Sequence, residues 1–175
     1  MLLGQWSISV TLTLWNEIAV HNFIVIKYGI IFWAYSSSSG KIFTLQKKMI
    51  RIMAGAQPRT SYVSLFKQLE ILPVPCQYIL SLMSFSINKH EIFKTNSSKH
   101  NINTRNKHHL HRLNAKLSCF QRSAFFAGIK IFNSLPPSVT ILKNDKTKFK
   151  AALRKYLHTH STHSVDGFFM CKYDL

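Results

Sequence analysis

Between residues 41 and 55 the apolar positions recur with the period of a helix. At about 100° per residue, Ile42, Leu45, Met49, Ile50, Ile52 and Met53 fall on one side, and Lys47, Lys48 and Arg51 on the other. Gly55 stands where a helix stop is expected. Thr60 and Ser61 can cap a second helix, whose apolar stripe is Val63, Leu65, Phe66 and Leu69. Pro73 and Pro75 end it, and Pro75 suits the first turn of a third helix reaching to about Phe93. Apolar around much of its girth (Tyr78, Ile79, Leu82, Met83, Phe85, Ile87), that helix reads as the core element. Residues 123–135 form a fourth helix, crowded with Phe125, Phe126, Ile129, Ile131 and Phe132 and stopped by Pro136 and Pro137. A fifth, capped by Asn144 or Asp145, runs to about His158 with Phe149, Ala152, Leu153, Tyr156 and Leu157 inward. With no secure strand pair, the pattern predicts an all-α fold, about five amphipathic helices in a small irregular bundle.

The remaining segments lack that period. Ser7, Ser9, Thr11 and Thr13 alternate with Ile8, Val10, Leu12 and Leu14 as in a strand, while 23–33 is almost continuously apolar and suits a buried helix. Residues 1–40 therefore stay ambiguous between the two, closed by the loop signal of Ser36 to Gly40. Residues 94–118 carry six Lys or Arg and four His with few apolar side chains, as a long exposed basic loop would. The organisation expected is an apolar segment 1–40, helical parts 41–93 and 121–160, a basic polar loop 94–120 between them, and a tail 161–175.

Charge sharpens this reading. Lys and Arg number 23 against six acids, for a net charge of +17. Residues 41–160 hold 21 basic and three acidic side chains, a local balance of +18, so the charge is spread over the body of the chain. A compact chain of this kind repels itself and attracts polyanions, which makes nucleic acid the first expected partner and an anionic membrane surface the second. Glu17, His21 and Lys27 interrupt the N-terminal apolar run, so no integral span is expected, and Met1 to Trp6 lack the charged start of a signal peptide. Cys76, Cys119 and Cys171 are odd in number and far apart, which fits a reducing intracellular compartment, cytoplasmic or nuclear.

The order of several short blocks adds a resemblance. YGIIFW at 28–33, KIFTLQKKMIRIM at 41–53, SLFKQLEILPVPCQYI at 64–79, HNINTRNK at 100–107, FAGIKIFNSLPPSV at 126–139 and FKAALRKYL at 149–157 follow one another. Together they are similar to the region downstream of the polymerase domain in Jockey-type non-LTR retrotransposon reverse transcriptases. Ala34 departs from that family, which usually has Gly after the Trp. The resemblance implies an RNA-directed DNA polymerase as parent, with upstream reverse-transcriptase domains as its neighbours there. Polymerase chemistry needs paired aspartates holding two metal ions. The six acids here lie at 17, 70, 91, 145, 166 and 174, never closer than eight apart, and no YADD-like box occurs. The chain is therefore expected to be a non-catalytic C-terminal fragment, neither polymerase nor endonuclease.

Other chemistry is thinly represented. His100, His108, His109 and His111 with Cys119 offer no cysteine pair of structural-zinc spacing, and His158, His160 and His163 fare no better, so neither metal nor cofactor is expected. The candidates for gripping phosphates are Lys47, Lys48 and Arg51, then Arg105, Lys107 and Arg112 in the loop, then Lys148, Arg154 and Lys155 on the last helix. Three functions follow as expectations: non-specific backbone binding to RNA or single-stranded DNA, an inert remnant of a decayed mobile element, or a peripheral membrane-associated basic protein.

Overall fold

A computed structural model describes residues 27, 29–34, 36, 38–89, 91–101, 105–112, 114, 116–121 and 123–170. The strand-or-helix question over 1–26 lies outside them. The chain divides into two compact units, 1–74 and 75–175. Among the described residues there are helices and no strand, and the fold is all-α. A lone antiparallel bridge joins Thr95 to Leu110.

The first unit contains α1 (Ile30–Trp33), α2 (Ser39–Met53) and α3 (Tyr62–Gln68). Its core joins Phe43, Ile50, Leu65, Phe66 and Val74. Phe43 lies 6.1 Å from Tyr62, edge to face, and 6.2 Å from Phe66. These rings fix which side of α2 turns inward, and it differs from the stripe read off the sequence. Phe43, Gln46 and Ile50 are buried, whereas Leu45 and Ile52 are 55% and 53% exposed. Spaced i, i+3 and i+7, the buried trio shares one helical face, and Leu45 and Ile52 fall opposite Phe43. The apolar-only stripe was displaced because the true face includes a glutamine. Gln46 is fully buried; its amide donates to the Leu72 carbonyl at 3.1 Å and accepts from the Val74 N–H at 2.8 Å. Val74 opens α4 (Val74–Asn88), so that N–H is one that the helix itself cannot satisfy. Gly55, with φ of 58°, supplies the left-handed residue just past the end of α2. Ser61 occupies the N-cap of α3 without a side-chain cap bond.

In the second unit Tyr78, Ile79, Leu82 and Met83 of α4 have no exposure. The other helices are α5 (Asn96–His100), α6 (Ser118–Gln121), α7 (Ala124–Phe132), α8 (Pro137–Thr140), a 3-10 turn (Ile141–Asn144), α9 (Lys146–Thr159) and α10 (Val165–Met170). Ser123 caps α7 by accepting from the Phe126 N–H at 3.3 Å. Halfway along α7, Gly128 lets the helix approach α4 closely. A Cβ there would lie 3.0 Å from Ser86 Oγ and 3.3 Å from the Phe93 ring. α9 buries Phe149, Leu153 and Leu157 at i, i+4 and i+8.

Two segments hold more structure than their composition suggested. The stretch expected to be a polar loop, 94–120, contains α5 and α6, with Thr95 accepting from the Ser98 N–H to cap the former. The expected tail forms α10 and buries Val165 and Phe168. Both pieces are too short for a hydrophobic period to register.

Asp145 caps α9, accepting from the Thr147 and Lys148 N–H groups at 3.1 Å each and from the Thr147 hydroxyl at 2.7 Å. The Thr147 hydroxyl first, then the Lys148 N–H and the Lys148 ammonium, lower the Asp145 pKa to about 2. A carboxylate lowered on folding stabilises above its unfolded pKa and loses that contribution as pH falls through the folded value. Asp145→Ala is therefore expected to lower the thermal midpoint at neutral pH. In circular-dichroism melts the gap from the parent should close between pH 4 and pH 2.

Candidate nucleic-acid interface

The nine candidate cations meet different fates. On α2, Lys47 is half-buried, its ammonium 4.1 Å from the centre of the Phe43 ring and 4.4 Å from that of Tyr62. Arg51 lies 5.9 Å from the Tyr62 ring and donates through Nε to the Thr60 carbonyl at 3.1 Å. Both roof the aromatic cluster of the first unit, a structural duty that spacing alone did not disclose. Lys48 is exposed.

In the second unit Arg105 and Arg112 are exposed and Lys107 is half-buried. The Arg112 guanidinium stands 4.9 Å from the Phe126 ring. On α9, Lys148 sits 3.2 Å from Asp145, which takes part of its charge locally, whereas Arg154 and Lys155 are exposed. With Lys148 and Lys155 on one side of the buried stripe and Lys150 and Arg154 on the other, α9 carries cations along both flanks.

The segment 105–112 is held at several points. The side chain of Asn133, at the end of α7, acts as a strand partner for Leu110: it accepts from the Leu110 N–H at 2.8 Å and donates to the Leu110 carbonyl at 3.0 Å. The Leu110 side chain is buried. The Asn96 N–H donates to the His109 carbonyl at 2.9 Å, and the His111 N–H to the Lys94 carbonyl at 2.8 Å. His100 and His111 also meet, Nε2 to Nδ1 at 3.0 Å, a contact that requires at least one neutral ring. Loss of hydration, then the nearby charges of Lys99 and His100, lower the pKa of His111.

Thus anchored, the segment forms one wall of a cleft of about 440 Å³, which brings Arg105, His108 and His109 together with Lys143. Lys143 is not among the candidates; it lies just ahead of the cations of α9, and the turn after α8 carries it to this place. Nor does the sequence mark Asn133 as the residue that positions the loop, although it lies within the Asn-x-Leu-Pro block. Among the described residues, no three His, Cys, Asp or Glu side chains come together as a metal site. No single described helix is long and apolar enough to cross a membrane.

Compared with known proteins, the chain matches no family model, no curated protein and no solved structure.

Proposed function

We propose that this chain binds RNA or single-stranded DNA through its phosphates, without reading base sequence, and that it descends from the region downstream of the polymerase domain of a non-LTR retrotransposon reverse transcriptase. The observation that carries the binding is the surplus of exposed cations, Lys48, Arg105, Arg112, Arg154 and Lys155, on a surface poor in acids. The order of the six sequence blocks supports the ancestry. The wide spacing of the six acids supports a role in binding rather than in catalysis.

If about five phosphates are engaged, affinity for a single strand should fall with salt at a log–log slope of about −3.5, from roughly −0.7 per contact. Lys47 and Arg51 are unsuitable for the test because they cover rings of the core. Lys48, Arg154 and Lys155 are exposed, and glutamine keeps stem length and helix propensity at all three. Replacing them together is expected to reduce the slope in magnitude by about two, equally for every base sequence. Fluorescence anisotropy across a salt series checks this. A salt-insensitive affinity, or an unchanged slope in the triple variant, would refute the reading.

A further inference from the structure

We infer that the cleft beside the 105–109 segment receives one unstacked nucleotide, its base on the apolar floor and its phosphate on the cationic rim. This deepens the reading above and rests on it. The floor is supplied by Phe132 and Leu135, both buried, and by Ile141, which is 75% exposed. The rim is supplied by Arg105, His109 and Lys143, and among the described residues no acid lines the cleft. A volume near 440 Å³ falls within the range of about 300–1,000 Å³ usual for small-ligand sites. Apolar below and cationic above, such a lining suits a ligand that is planar and weakly polar at one end and anionic at the other. A nucleotide has that form. The guanidinium of Arg105 offers paired donors to phosphate oxygens, and Lys143 a compact charge.

Two features separate this cleft from an ordinary basic surface. First, Ile141, exposed on the 3-10 turn, adds its aliphatic side chain to Phe132 and Leu135 in the lining of the cleft, so the apolar floor reaches the cationic rim. Second, the wall bearing Arg105 and His109 is fixed in advance by the two Asn133–Leu110 bonds, so less freedom is lost when a ligand arrives. Proteins that hold single strands generally combine backbone cations with apolar or aromatic seats for individual bases. Here both kinds of group share one cleft.

The test compares a fluorescein-labelled twelve-nucleotide oligouridylate with a strand of equal length and charge whose sugars carry no bases. The intact chain is expected to bind the base-bearing strand about tenfold more tightly, toward the low end of what seated bases contribute. Ile141→Ser removes floor at an exposed position without opening the core. It is expected to reduce that preference to about threefold or less while leaving the salt slope unchanged. Equal binding of the two strands by the intact chain would overturn the nucleotide seat and leave phosphate binding standing. A tenfold preference that survives Ile141→Ser would place the seat elsewhere and overturn this assignment. Binding of neither strand would overturn the seat together with the proposed function.

Discussion

Gln46→Leu is expected to lower the stability of the first unit by about 2–6 kcal/mol, from roughly 1–3 kcal/mol for each of the two buried groups that lose their bond to Gln46. Both ends of the Gln46 amide are used, one by the Leu72 carbonyl and one by the Val74 N–H, and the side chain is fully buried. Leucine fills nearly the same volume, so the loss would report the bonds that Gln46 makes rather than a cavity. The Val74 N–H is the more exacting of the two, because as the first donor of α4 it has no helical carbonyl to turn to. Gln46→Glu separates the two bonds. A carboxylate keeps an acceptor for Val74 but sets a second oxygen against the Leu72 carbonyl and adds a buried charge. Its destabilisation at neutral pH should match or exceed that of leucine. It should shrink in acid, where the protonated carboxyl regains a donor. Urea unfolding, with amide exchange at Val74 as the local reporter, checks both. A Gln46→Leu penalty below about 0.5 kcal/mol would mean that these groups find other partners.

The same glutamine shows why the sequence was legible in its helices and less so in its faces. A helix needs only local signals, and these were present: Gly55 beyond α2, Pro73 and Pro75 around the start of α4, Asp145 ahead of α9. Among the described residues, the five helices of seven or more residues are those that periodicity predicts. Which side of α2 turns inward depends instead on Tyr62 and Phe66, distant in sequence, and on a polar residue that is buried because it is satisfied. A reading that counts only apolar positions cannot place such a residue. It assigned Leu45 and Ile52 to the core, and they face water.

For the candidate site the balance is similar. Among the cations that charge singles out, Lys48, Arg105, Arg112, Arg154 and Lys155 are exposed, as phosphate binding would require of each. Spacing could not separate a free cation from one resting on an aromatic ring, which is the position of Lys47 and Arg51 and, at an exposed site, of Arg112. The cleft escaped detection for another reason. Its two walls, around residues 105 and 143, lie far apart in the chain, and local spacing carries no sign that the fold brings them together. Composition made 94–118 look loose, since few of its side chains can be buried. Backbone pairing to Lys94, Asn96 and Asn133 supplies the order that apolar contacts do not.

Asn133→Ala is expected to release that segment. The two bonds from Asn133 to Leu110 are partly buried and, at about 1 kcal/mol each, sum to roughly 2 kcal/mol of local stability. Losing them should speed amide exchange across 105–112 by about thirtyfold, since each 1.4 kcal/mol is a factor of ten. The fully buried residues of α4, from Tyr78 to Met83, should keep their protection, because the change removes a tether and not core volume. Asn133→Asp offers a finer test. Its carboxylate still accepts from the Leu110 N–H but faces the Leu110 carbonyl with an oxygen where an N–H had been, so one attraction becomes a repulsion. Exchange across 105–112 should then rise nearly as far as in the alanine variant, while the amide of Leu110 itself stays slower than its neighbours. Strand affinity should drop several-fold in both variants. Arg105 and His109 would remain in the chain but would have to be ordered anew at each encounter. Hydrogen–deuterium exchange at peptide resolution, with the parent chain alongside, decides the matter. Unchanged protection across 105–112 in Asn133→Ala would show that the bridge to Thr95 and the bonds to Lys94 and Asn96 hold the loop without it.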